Sequence, residues 1–441
     1  MTRPLDVVLI ANALGLGGTE KGLVTHARSF DPARVRVRVV EARENGPRAQ
    51  ELRAAGIDVA GAAGDIDALT PLLAGADVVH VFRSGGFEPL VPSAVRRAGV
   101  PVLVETNVFG QVDGSDDERL FSMHLFVSRF CAARYRERRG LGEDALFHDR
   151  HRVSTWPLDI ERIAEEMPER RAARAALGLD PDRPVVVRVG RPDERKWRDL
   201  LAEMVPPLLD AVPNAQVLLV GAPPRGLRRL AALHVLDRVY LLPETPAEGV
   251  VLAAYAAADV VVSAAAIGES CSVAIAEAMV AGRPVVTSST PWTDNAQIEQ
   301  VNEGRTGHVA DHPAAFADAV ASLLLDPDRA AEYGEAARSH AVALHDARLL
   351  TRQLERLYEA LAAGARPPTE WTPLPIEVDA FPAEYARRLD CSFRPLTVRE
   401  HAEAARARRS ERLRWLAGAA QRLDRGTAAL AVSSLMGRRR R

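Results

Sequence analysis

Two doubly wound, Rossmann-like α/β domains facing a central cleft, with a C-terminal helical extension, are what this sequence predicts. Three observations carry that expectation. Short runs of Val, Ile and Leu alternate with helical stretches along most of the chain, as strands buried on both faces of a parallel sheet require. The rhythm stops once, over residues 158–183, where "LDIERIAEEMPERRAARAALGLDPDR" is charged, contains prolines and offers no strand. At 441 residues the chain exceeds one core and suits two domains with an appendage.

Taken in order, "DVVLIA" (6–11), "RVRVV" (36–40), "ADVVHVF" (76–82), "VPVLVET" (100–106) and "MHLFVS" (123–128) read as strands of a first domain, residues 1–157. Residues 158–183 form an interdomain connection with an embedded helix. "PVVVRVG" (184–190), "AQVLLVG" (215–221), "RVYLL" (238–242), "DVVVSA" (259–264) and "RPVVTSS" (283–289) supply a second domain, residues 184–345. A long helix at 346–363 is expected to cross back to the first domain. Residues 364–441 are a proline-rich segment and a basic tail. Alternating strands and helices imply right-handed crossovers, so both sheets turn their carboxyl ends to one cleft, where ligands of such sheets bind.

Composition narrows the function classes. Hydrophobic content of 47% and charged content of 26% are those of an ordinary globular protein. A formal net charge of -2 argues against nucleic acid as a partner. Cys131, Cys271 and Cys391 are far apart and odd in number, with neither disulfide nor metal-ligand spacing, which fits a reducing compartment. The opening residues lack a signal-peptide layout and no window reaches the roughly 20 apolar residues of a membrane span. Abundant Ala and Arg with only two lysines suggests a GC-rich genome, and a bacterial cytoplasm is the expected setting.

Those two lysines, Lys21 and Lys196, stand out. Drift in this composition favours Arg, yet Lys196 is kept just after strand "VVVRVG", five positions from Arg191. Two cations at the carboxyl end of a buried strand can converge on a diphosphate, one as a planar fork and one as a point charge. Lys21 follows "GLGGTEKG", whose Gly17 and Gly18 open a helix after the first strand. Backbone amides there can approach an anion or a sugar, though a tight strand-to-helix turn explains the glycines equally well. Further on, "IGESCSVAIAEAMVAGRPVV" (267–286) reads as loop, small-residue helix and Gly-Pro stop. It places the amides of Ser272 and Val273 at a helix N-terminus and puts seven residues between Glu269 and Glu277, an E-x7-E pattern. Glu277 falls among Ala and Met, a costly place for a carboxylate without a hydroxyl to accept from.

"GRPDERKW", "YAAADVVVSAAAIGESCSVAIAEAMVAGRPVV" and "GRTGHV" together resemble the donor domain of glycosyltransferase family 4, of the GT-B fold. "GLGGTEK" is similar to that family's glycine loop and "VSTWPLDIERI" to its hinge. The resemblance spans roughly residues 5–360 and is stronger in the second domain. It implies a retaining, metal-independent transfer of a hexose-type sugar from a nucleotide diphosphate, UDP- or GDP-linked, to a hydroxyl acceptor, with no other cofactor. Arg191 and Lys196 would bind the diphosphate, Glu269 the sugar hydroxyls and Glu277 the ribose. Amides near Ser272 and Val273 would complete the phosphate cradle, and Gly17 and Gly18 would let the first domain close over it. Asp294 in "STPWTDNAQIE", and Asn295 beside it, would read sugar hydroxyls or cap a helix.

Three positions depart from the family. Trp197 stands where a glycine is usual, at the cleft edge or beneath it, and Ser272 where glycine is common. Asn107 stands where many members carry a catalytic-site histidine. Asparagine can bind a hydroxyl but cannot shuttle a proton, so His80 is a second candidate for that role. A GT-B epimerase, a catalytically weak nucleotide-sugar-binding partner and a different α/β nucleotide enzyme remain open at this level. From His401 to Arg441, eleven arginines face three acidic residues, and apolar residues recur at helical spacing. Such a tail suits either an anionic membrane surface, placing the protein on the inner face of the membrane, or a helix packed on the domains.

Overall fold

The computed structural model describes residues 3–140, 150–245, 247–291 and 293–372. The basic tail at 401–441 lies outside them. The first sheet holds β1 (Leu5–Ala11), β2 (Val35–Glu41), β3 (Asp58–Gly61), β4 (Val78–Arg83), β5 (Val102–Asn107), β6 (Phe121–Phe126) and β7 (His151–Val153). The second holds β8 (Val185–Val189), β9 (Gln216–Val220), β10 (Val239–Leu242), β11 (Val260–Ser263), β12 (Val285–Thr287) and β13 (Gly307–Val309). Strand order is β3-β2-β1-β4-β5-β6-β7 in one and β10-β9-β8-β11-β12-β13 in the other, and every pairing is parallel.

Period-two alternation distributes each strand between two cores. Along β1, Val7 and Leu9 join one apolar cluster while Val8 and Ile10 join the opposite one. Along β8, Val185 and Val187 face one core and Val186 the other. The strands not read from sequence, β3, β7 and β13, are three or four residues long and lie at sheet edges. Segments as short as "HRV" and "GHV" carry too few apolar residues to show a period.

The connection contains two helices rather than one, Ile160–Glu166 and Arg170–Ala176. Pro168 lies in the gap, where a proline disfavours helical conformation in the residue before it. The chain crosses between the domains a second time beside this connection. Leu158 donates from its amide to the His345 carbonyl at 2.7 Å, and the amide of Ala347 donates to the Leu158 carbonyl at 3.0 Å. The helix Ala347–Ala362 begins there, capped by Asp346, whose carboxylate accepts from the amides of Arg348 and Leu349. It returns to the first domain, where Leu354, Leu357 and Tyr358 join the core of β1. Polar contacts seat it: Arg34 pairs with Glu355 at 2.9 Å and Glu359 at 2.6 Å, and His26 Nδ1 lies 2.9 Å from the Thr351 hydroxyl. Among the described residues no helix is long and apolar enough to cross a membrane.

Three buried histidines tie these crossings together: His26, His80 on Tyr358, and His345 on the Trp156 carbonyl. Burial lowers His26 to about 3 and His345 to about 4, and holds His80 well below the ordinary histidine value. A depressed folded pKa gives stability that is complete above the unfolded value, about 6.5, and is lost as pH falls toward the folded one. The thermal midpoint should therefore fall as pH drops from about 6.5 to 4, and His26→Asn should make that fall shallower. A midpoint flat over this range would contradict the assignment.

Candidate functional site

Strand order reverses between β1 and β4 in one sheet and between β8 and β11 in the other. Loops diverge at such switch points and leave a crevice at the carboxyl ends. Here the two crevices share one cleft of about 660 Å³. Ala11 at the end of β1 and Asn12 after it, Arg83 at the end of β4, Gly190 after β8 and Ala264 after β11 all line it.

On the second domain, the wall begins with the loop after β8. Arg191 is exposed and lines the cleft, with no ion pair among the described residues. Asp193 accepts from the Arg195 amide at 3.0 Å and so caps the single 3-10 turn Glu194–Lys196. That turn delivers Lys196 Nζ to within 2.7 Å of Glu269 Oε2. Beneath the loop lies Arg188, a cation inside the strand that reading the run as a plain buried strand passed over. It follows the alternation of Val186, onto the face that also holds Trp197, and its guanidinium is 5.5 Å from the indole centroid. It donates to the carbonyls of Val220 and Gly221 at 2.8 Å and of Lys196 at 3.0 Å, and burial pulls its pKa to about 10. Trp197 is 1% exposed and lies beneath the loop, not at the cleft edge.

The helix Val273–Val280 forms the next part of the wall. Ser272 caps it through Oγ, which accepts from the Ile275 amide at 3.4 Å. The expectation that the Ser272 amide is free for phosphate is corrected. It donates to Gln300 Oε1 at 2.7 Å, while Gln300 Nε2 donates back to the Ser272 carbonyl at 2.9 Å. The amides of Val273 and Ala274, both cleft-lining, remain without a partner among the described residues. Glu277 is buried, and its missing partners are found: the Tyr255 hydroxyl donates to Oε2 at 3.2 Å and Lys21 Nζ lies 2.5 Å from Oε1. Burial, then the charge of Glu277, holds the Tyr255 phenol neutral and donating.

Lys21 comes from the other domain, so the bond crosses the cleft. Its Nζ is also 3.0 Å from Glu248 Oε1, and Arg162 of the connection pairs with the same carboxylate. Both lysines of the chain thus end on the two glutamates of the E-x7-E pattern. The glycines explain how the helix carrying Lys21 comes so near. Gly17 is its N-cap, and a Cβ on Gly18 would stand 3.0 Å from Val273 Cγ2. At Gly22 a Cβ would fall 2.4 Å from the Trp156 ring.

A second set of bonds closes the interface through Arg134, Arg129, Phe130 and Glu299, which the sequence reading did not single out. Arg134 pairs with Asp294 and donates to the Thr293 carbonyl at 2.8 Å. The amides of Arg129 and Phe130 donate to Glu299 at 3.1 and 3.2 Å. Asp294 lines the cleft as expected, but its carboxylate is engaged by Arg134, and burial pushes its pKa up. Asn295 is fully buried against Ser289 and Thr290 and supports the loop rather than reading a ligand.

Two candidates fall outside the cleft. Asn107 is fully buried and closes its own turn: Nδ2 donates to the Gln111 carbonyl at 2.9 Å and Oδ1 accepts from the Gln111 amide at 3.3 Å. His80 is equally buried, with Nδ1 2.6 Å from the Tyr358 hydroxyl and Nε2 2.8 Å from the Thr106 hydroxyl. Neither lines the cleft. Both are corrected from candidate catalytic groups to structural ones, because no face of either side chain is left for a substrate.

With this geometry in view, residues 183–326 match the family model described as glycosyl transferases group 1. That match falls on the second domain. The chain is 35% identical over 225 residues to a D-inositol 3-phosphate glycosyltransferase of Nocardia farcinica, covering 48% of this chain and 49% of that one. It is 34% identical over 228 residues to a GDP-mannose-dependent alpha-(1-6)-phosphatidylinositol monomannoside mannosyltransferase of Mycolicibacterium smegmatis, covering 49% and 56%. It therefore spans about half the length of the curated relatives it matches. The structure of Anabaena Alr3699/HepE in complex with UDP and glucose superposes with a TM-score of 0.64 at 17% identity, over 79% of this chain and 98% of that one. The fold is GT-B, and the resemblance to glycosyltransferase family 4 holds.

Trp197→Ala should cost about 3–5 kcal/mol in a urea titration, as large aromatic truncations in cores do. The loss should come with a slackened Arg188–Lys196 loop. A variant within 1 kcal/mol of wild type, by the same scale, would show that the indole does not support the cleft floor.

Proposed function

We propose that the protein is a retaining, metal-independent glycosyltransferase that moves a hexose-type sugar from a nucleotide diphosphate to a hydroxyl acceptor. The observation that carries this reading is the meeting of Arg191, Lys196, Glu269 and Glu277 at the switch point of the second sheet, beside the open amides of Val273 and Ala274. A UDP- or GDP-sugar donor is supported by the names of the mannosyltransferase relative and of the UDP-bound neighbour.

Each ion pair then stands where a substrate contact would form. Lys196 exchanges Glu269 for a diphosphate oxygen, and Glu269 is released to accept from sugar hydroxyls. Glu277 exchanges Lys21 for the ribose hydroxyls and keeps its bond from Tyr255. As the bond from the anomeric carbon to phosphate oxygen breaks, negative charge gathers on the diphosphate. Once that exchange is made, Arg191, Lys196 and the helix N-terminus stabilise the departing charge. The acceptor hydroxyl attacks from the face the diphosphate leaves, and the departing phosphate oxygen takes its proton. This route needs no side-chain base, which agrees with Asn107 and His80 standing outside the cleft. The acceptor class is a lipid-linked sugar, a polysaccharide or a glycoside, and the setting is the bacterial cytoplasm or the inner membrane face.

A thermal-shift panel of UDP-, GDP- and ADP-sugars tests the donor site. One nucleotide should raise the midpoint, and Lys196→Ala and Glu277→Ala should each abolish that rise. Turnover should survive a chelator, and the product should keep the donor's anomeric configuration by NMR. Silence toward every nucleotide would end the proposal.

A further inference from the structure

A second cavity, of about 230 Å³, lies on the second domain and shares no lining residue with the cleft. Pro184, Asp259 and Pro284 line it, and each stands one residue before a strand, β8, β11 and β12 respectively. It therefore opens at the amino ends of the sheet whose carboxyl ends form the cleft. Arg170, Arg174, Arg183 and Arg283 also line it, against the carboxylates of Asp182 and Asp259. Asp182 is 72% exposed and is taken by Arg171 at 2.7 Å. Asp259 is left to answer the arginines. Its Oδ1 lies 2.8 Å from Arg170, and its Oδ2 lies 2.7 Å from Arg174 and 2.8 Å from the Val185 amide.

The arginines have donors to spare. Arg283 donates through Nε to the Tyr255 carbonyl at 2.9 Å and through Nη2 to the Ala256 carbonyl at 3.1 Å. Its Nη1 has no partner among the described residues. Arg170 uses Nη1 alone, on Asp259, and Arg183 uses Nε alone, on the Asn214 carbonyl. The Arg170 side chain is 43% exposed, and the unpaired nitrogens of Arg183 and Arg283 are open to solvent. Burial, then the charge of Arg170, lowers Arg283 to about 10; Arg174 adds to that repulsion and Asp259 opposes it. A phosphoryl group among these side chains would relieve the repulsion and accept several charge-assisted bonds at once. The cavity is smaller than the roughly 300 Å³ at which pockets for drug-sized ligands begin, which suits a small anion.

Bonds from the cavity lead back to the cleft. Arg283 and Arg174 hold the carbonyls of Tyr255, Ala256 and Ala257, the last three residues of the helix Glu248–Ala257. The same helix carries Glu248, which pairs with Lys21, and Tyr255, which donates to Glu277. We propose that this cavity binds inorganic phosphate or a small phosphate monoester as an effector, which steadies that helix and with it the Tyr255–Glu277 contact. The anion site stands without the transferase reading; its effect on nucleotide affinity rests on that reading.

Calorimetric titration of the full-length protein tests the site, with inorganic phosphate in one arm and glycerol phosphate in the other. The arm that binds more tightly identifies the source of the phosphoryl group. Arg170→Ala and Arg183→Ala change partly exposed side chains, so both variants should fold. Each should weaken one site at least tenfold, and Lys196→Ala should leave that same site unchanged. Absence of a site with this pattern in both arms would overturn the proposal. With the cavity filled, a nucleotide should bind wild type about fivefold more tightly than Arg170→Ala, at the lower end of common allosteric couplings. Without phosphate the two proteins should bind it equally. Both keep the cleft intact, so any competition by phosphate there cancels. Tyr255→Phe should keep the phosphate site and lose the gain. Equal nucleotide affinities in the presence of phosphate would overturn the effector role, whereas silence toward every nucleotide would strike only the transferase reading.

Discussion

The bond from Lys21 to Glu277 fixes how the two sheets face each other at the cleft. Each end is held within its own domain, the lysine by a helix that starts at the glycine loop and the carboxylate by the Tyr255 hydroxyl. Glu277 is nearly buried and Lys21 about a quarter exposed, so the pair is only partly screened. Removing either partner strands a charge where water cannot fully replace it. Arg134 on Asp294, and Glu299 on the amides of Arg129 and Phe130, close a second part of the interface. The chain crossings at Leu158 and His345–Ala347 complete the join.

That arrangement puts the proposed donor contacts in a particular ligand-free state. Lys196 and Glu269 satisfy each other, as do Lys21 and Glu277, so the cleft keeps its charges compensated without a substrate. A carboxylate that holds a lysine today can hold hydroxyls when a donor brings its own phosphates for the cations. The exchange replaces one charge-assisted bond with another, which keeps its cost low.

Below the cleft, Trp197 gives the departure from the family's glycine a physical account. Arg188 sits at the end of a buried strand and needs acceptors, and it finds them in the carbonyls of the Lys196 loop and of Val220 and Gly221. The indole covers the apolar side of that guanidinium and fills the core shared with Val186 and Leu200. A glycine at this position would leave the arginine without its cover. The indole Nε1 itself has no partner among the described residues, and nothing in the structure explains that.

The sequence by itself determined the two-sheet architecture, the cleft between the sheets, the returning helix, and Arg191, Lys196, Glu269 and Glu277 as cleft residues. Buried parallel strands leave continuous apolar runs, and their loops must emerge at one end, so pattern alone locates those residues. Lys196 was legible because lysine is so scarce here, and Glu277 because a carboxylate amid alanines needs a partner. Only the tertiary structure decided who that partner was. It also spent the Ser272 amide on Gln300, withdrew Asn107 and His80 from the site, and placed Arg188 under the loop. Apart from Asn107, which Gln111 holds in its own turn, those outcomes depend on which buried polar groups meet across long separations in the chain. Hydrogen-bond satisfaction is settled in three dimensions, where a neighbour 20 or 250 positions away can take the group that local pattern leaves open.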